Sequence, residues 1–163
     1  MKWLIALLVV AGVVVAAPLV VFLGVFEPPH VSDDVAKLQA TVSIPAGATS
    51  ARWEVFGTPE ATGFVTGPTD YYTLIAELQP ALAPVAQIID AQRDEIPVVG
   101  EAARPWLSDG FRALMEQNRN SRLRLSSYKN CRAYRTTVRK SGRRVQGFLC
   151  TDAGRTLLYL DVS

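Results

Sequence analysis

CRAYRTTVR (131–139), RRVQGFLCT (143–151) and RTLLYLDV (155–162), joined by KSG and DAG, decide the fold. In each segment large apolar or β-branched residues recur at every second position, the period of a strand with one face turned inward. The links KSG and DAG are short and contain glycine, so they close hairpins and make the C-terminal third an antiparallel meander. The spacing sets Cys131 almost opposite Cys150 across the first hairpin. Cross-strand Cβ atoms lie roughly 4.5–5.5 Å apart, near disulfide reach. The two thiols lack the further ligands a metal needs and the C-x-x-C spacing of a redox pair, so a structural disulfide is expected. That bond needs an oxidising compartment.

Upstream of the meander the period is mixed. Leu123 and Leu125 alternate with Arg122 and Arg124 in a short strand. Ser108 is a good N-cap for a helix carrying Phe111, Leu114 and Met115 to about Asn118. A second helix is expected to open at Pro84 and run to about Glu95. Tyr71, Leu74, Ile75 and Leu78 fall at helical spacing after the Thr69–Asp70 cap, so a helix is expected over 70–79, although YYTLIAEL also suits a buried strand. ARWEVFG (51–57) alternates as a strand with Trp53, Val55 and Gly57 on one side. Residues 58–69 are loop by composition. Helices before strands imply an α+β domain: two or three helices on one face of an antiparallel sheet that ends in the three-stranded meander.

The first 26 residues are of another kind. Residues 3–26 read WLIALLVVAGVVVAAPLVVFLGVF, twenty-four positions without a charge. As a helix they reach roughly 36 Å, enough for a hydrocarbon core of about 30 Å. A cleaved signal peptide has a shorter apolar region and a small-x-small site. Pro18 directly after Ala17 spoils the only such site here, so the segment reads as an uncleaved transmembrane helix, a signal anchor. Pro18 introduces a modest kink. Gly12 and Ala16 have the small-xxx-small spacing, which is also common in helices that pair with nothing. Lys2 precedes the run, and Glu27, Asp33 and Asp34 follow it before Lys37. Residues 1–2 are therefore expected in the cytoplasm, 27–50 as a spacer with a short helix over 33–40, and 51–163 as the exported domain. The expected location is a single-pass plasma (inner) membrane protein with its C-terminal domain in the periplasm or outside the cell.

Charge is split along the chain. Residues 1–100 carry four basic and ten acidic side chains, whereas 101–163 carry thirteen basic and five acidic. Between Glu116 and Asp152 there are ten Lys or Arg and no acid. Arg122, Arg124, Arg135, Arg139, Lys140, Arg143 and Arg144 are the candidate binding residues, the last four crowding one hairpin tip. Such a surface attracts a partner protein or an anionic component of the cell envelope. Nucleic acid is not expected in that compartment.

Chemistry is sparse. GFVTG (63–67) is no phosphate loop, because no lysine follows the second glycine. His30, the only histidine, sits beside a Pro-Pro pair and has no zinc or catalytic-dyad companions. There is no G-x-S-x-G turn. No cofactor, metal or catalytic residue is assigned. The competing expectation is a small envelope hydrolase for glycan or peptide, using carboxylates such as Glu54 or Asp70 brought together by folding. The leading expectation is a non-catalytic, membrane-anchored interaction module. Phosphatase fused to the C-terminus should be active and a fluorescent protein fused there dark; the reverse pattern rejects the orientation.

Overall fold

The computed structural model describes residues 31–58, 71–82 and 94–162, which form a small α+β domain with an antiparallel sheet and two helices. Strands β1 (Ser50–Thr58), β2 (Tyr71–Gln79), β5 (Cys131–Thr137), β6 (Arg144–Asp152) and β7 (Arg155–Asp161) make one five-stranded sheet in the order β1-β2-β7-β6-β5. Every neighbouring pair is antiparallel. The expected meander is therefore present as β5-β6-β7, and β2 pairs with β7 to join it to the β1-β2 hairpin. Strands β3 (Glu95–Val98) and β4 (Ser121–Arg124) form a separate two-stranded sheet. Cys131 stands directly opposite Cys150 in the β5-β6 register, and the two are disulfide-bonded with Cα atoms 4.1 Å apart.

Both faces of the large sheet are covered. On β7, Leu157 and Tyr159 join Phe111 and Met115 of α2 (Asp109–Gln117) with Ile96, Val98 and Leu123 of the small sheet. Leu158 and Leu160, on the other side of the pleat, join Leu38 of α1 (Val35–Thr41) with Val42, Trp53 and Leu74. Successive strand residues point to opposite faces, so α1, expected in a spacer outside the domain, covers the side of the sheet opposite α2. The α2 helix starts and stops at the expected Ser108 and Asn118.

The helix expected over 70–79 is strand β2 from Tyr71 onward. Thr73 to Leu78 are six consecutive buried residues. A mostly apolar run satisfies the i, i+3, i+4 stripe by default. It is buried throughout because this strand lies between two covers, the pattern of a strand with no solvent face. The helix expected over 84–95 lies outside the described residues except at its end, where Glu95 begins β3.

The stretch expected as a spacer contributes core from residue 31 onward. Asp34 caps α1 by accepting the Lys37 N–H at 2.9 Å, and the Trp53 indole N–H donates to the Asp34 carbonyl at 3.0 Å. Ser32 and Trp53 exchange backbone hydrogen bonds at the β1 edge. At the β5 edge, Ser43 N–H donates to the Thr137 carbonyl and Arg139 N–H to the Thr41 carbonyl. Residues 31–43 thus form a strap that crosses one face and satisfies backbone groups on both outer strands, which would otherwise stand as open edges. Leu38, fully buried, is its centre. Leu38→Ala should cost about 3 kcal/mol by chemical denaturation. Val55→Ala, on an exposed side chain, should stay within about 0.5 kcal/mol. Equal effects would mean that the strap is not part of the cooperative core.

Candidate functional site

The β5-β6 turn is built from its backbone. Val138 N–H donates to the Arg143 carbonyl and Gly142 N–H to the Val138 carbonyl, both at 2.8 Å, closing a four-residue loop over 139–142. Gly142 has φ +69°, a left-handed conformation that side chains disfavour, with open space around it. The strap adds a third restraint through Arg139 N–H and Thr41 O at 2.9 Å. Arg139, Lys140, Arg143 and Arg144 are all exposed on this turn. Among the described residues, no carboxylate forms an ion pair with any of the four.

Of the other candidates, Arg135 joins this cluster. It is exposed on β5 opposite Gln146, one pleat step from the Thr137–Arg144 pair and on the same face. Arg122 and Arg124 do not join it. They are exposed on β4, in the small sheet, and Arg124 is neutralised by Glu95 at 2.9 Å. The hydrogen bond to that carboxylate raises the Arg124 pKa above its ordinary value.

Two features were not foreseen. Tyr71 and Tyr72, at the start of β2, are 55% and 51% exposed, and Val55 is 41% exposed. The helical reading of 70–79 had placed Tyr71 on the buried stripe, which hid it. The second is a pair of buried acids. Glu54 is ion-paired with Arg104, whose guanidinium lies 4.0 Å from the centre of the Phe56 ring. Glu77 accepts the Ser108 N–H at 2.8 Å and pairs with Arg155. Both carboxylates hold the segment before α2 onto the sheet.

That arrangement bears on hydrolytic chemistry. Glu54 faces an arginine inside the protein and is not presented to solvent. Asp70 lies outside the described residues. A shallow hollow of about 230 Å³ beside α2 is lined by Leu114, Gln117, Tyr128 and Asn130, with Asp152 its single carboxylate. Among the described residues no group of His, Cys, Asp or Glu is arranged to hold a metal ion. No helix among them is long and apolar enough to cross a membrane, and the 3–26 run lies outside them.

The chain matches no family model, no curated protein and no solved structure.

Arg104→Ala should leave Glu54 buried without its partner and cost about 3–5 kcal/mol. Replacing both, Glu54→Gln with Arg104→Met, should recover most of the loss. Thermal melts decide: an Arg104→Ala protein as stable as the parent would show that the pair does not fasten this segment.

Proposed function

We propose that this protein is an exported interaction module, tethered to the plasma membrane by residues 3–26, whose basic hairpin engages an anionic partner. The observation that carries the reading is the set of four exposed cations on one backbone-braced turn, free of carboxylate partners among the described residues. A solvated surface normally intersperses both signs of charge. Here the sequence between Glu116 and Asp152 holds no acid, and across the sheet Asp161 of β7 stands opposite Gln146 at the same end. A fixed loop loses little conformational freedom when it binds, so its charges work on a prearranged geometry. The Cys131–Cys150 bond supports a location outside the reducing cytoplasm, because such bonds persist in oxidising compartments.

The proposed anchor and the described domain leave little chain between them. Residues 27–31 separate the apolar run from Ser32, which is already hydrogen-bonded to Trp53. Five residues reach at most about 17 Å when fully extended. In this reading the domain works close to the membrane surface.

Replacing Arg139, Lys140, Arg143 and Arg144 together by Ser should leave the circular dichroism and melting profile near those of the parent, since exposed substitutions move stability by less than about 0.5 kcal/mol. Capture of the anionic partner from solubilised membranes by the full chain should be lost in this variant. Added salt should produce the same loss in the parent, because exposed charges are screened over about 8–10 Å. A variant that retains the same partner with the same salt response rejects the basic hairpin as the binding surface.

A further inference from the structure

Three features of the described domain share one end of the large sheet. Four successive antiparallel pairings carry β1 to β5, so β1, β7 and β5 all finish at the same end. The β5-β6 turn, with Arg139, Lys140, Arg143 and Arg144, is therefore at that end. Tyr71 and Tyr72 are there as well, because β2 begins where β1 finishes, with Thr58 opposite Tyr71 and Gly57 opposite Tyr72. The third feature is the direction from which the chain arrives. Ser32 N–H donates to the Trp53 carbonyl at 2.7 Å and Trp53 N–H to the Ser32 carbonyl at 2.8 Å, in an antiparallel bridge. Antiparallel pairing places Val31 toward the Thr58 side of that bridge. Val31, the first described residue, thus lies on the Thr58 side of a bridge at the middle of β1, toward the end that carries the basic turn and the exposed tyrosines. The opposite end is mixed in charge: its β6-β7 turn contains the exposed acid Asp152, exposed Lys129 and Arg132 stand at the start of β5, and the acid Asp161 lies at the basic end of β7.

We infer that this end of the sheet docks on the anionic phospholipid headgroups of the membrane to which the chain is tethered. The inference rests on the anchor proposed above and names the partner of the same basic surface. Tyrosine suits the headgroup region, where its ring meets apolar surface and its hydroxyl meets water. Exposed Lys and Arg within a Debye length of an anionic leaflet are attracted to it. A short tether converts this into an intramolecular encounter with a high effective concentration, so individually weak contacts are sufficient. A protein partner would have to displace lipid that the tether keeps adjacent.

The test uses the full chain with one added thiol. The two native cysteines are bonded to each other, so a single new cysteine is labelled cleanly. Ser141→Cys carries the fluorophore at the basic turn, and Ala153→Cys carries it at the opposite end. Each protein is reconstituted into phosphatidylcholine vesicles with and without phosphatidylglycerol, with a nitroxide quencher on the lipid headgroup. The label at 141 should be quenched strongly only when phosphatidylglycerol is present, and the label at 153 should not. High salt, or the four Ser substitutions made around the 141 label, should abolish that quenching. Tyr71→Ser with Tyr72→Ser should reduce it.

Equal quenching at both positions, or quenching at 141 that ignores phosphatidylglycerol, overturns the docking. Carbonate extraction tests the anchor separately, since a chain released from the vesicles loses the tether itself. A chain that stays embedded with an unquenched 141 label, yet captures a protein through the basic turn, keeps the interaction module and rejects the lipid as its partner.

Discussion

The backbone pair between Ser32 and Trp53 ties the start of the described domain to the large sheet. It pairs with the β1 edge at Trp53, begins the strap that carries Leu38 across the sheet, and puts Val31 on the Thr58 side. The strap ends by donating and accepting around Thr137 and Arg139, directly beneath the basic turn. One short segment therefore links the arriving chain to the brace of the candidate surface.

A five-stranded sheet with apolar side chains on both faces needs two covers. One is the strap, and the other is α2 with the β3-β4 pair. The second cover is held partly by polar groups inside the protein. Tyr159 donates its hydroxyl to the Pro97 carbonyl at 3.0 Å and accepts the Val99 N–H at 3.2 Å. Burial, the largest influence on it, pushes the Tyr159 pKa to about 12. Glu77 accepts the Ser108 N–H, and Glu54 faces Arg104. Buried carboxylates are retained where partners satisfy them; here Arg104 and the Ser108 N–H come from the cover and Arg155 from β7. Their burial keeps both carboxylates away from solvent.

Legibility in the sequence followed the locality of each determinant. The meander and the Cys131–Cys150 pairing were readable because turn spacing and strand alternation are local, and two short links fix the register. Ser108 and Asn118 bounded α2 for the same reason. The nature of 70–79 was not readable, because it depends on whether one or two layers cover the segment, a tertiary fact. The role of 31–43 was hidden likewise: the segment is poor in large apolar groups, and its contribution rests on Leu38, Val42 and backbone pairing with distant strands. Glu54 was a candidate catalytic carboxylate in the sequence, and its burial against Arg104, like that of Glu77 against Ser108 and Arg155, depends on contacts between distant segments. Of the basic candidates, exposure at the hairpin tip followed from register alone, whereas the neutralisation of Arg124 by Glu95 required the β3-β4 pairing.

In the proposed docking, the end of the sheet that carries the basic turn, Tyr71 and Tyr72 meets the membrane. Amide hydrogen exchange of the full chain, in bilayers with and without an anionic lipid, measures this without labels or substitutions. The account predicts slower exchange in peptides covering 138–144 and 71–74 when the anionic lipid is present, with 152–156 unchanged. Lipid-dependent protection confined to 152–156, or identical rates in both bilayers, would contradict it.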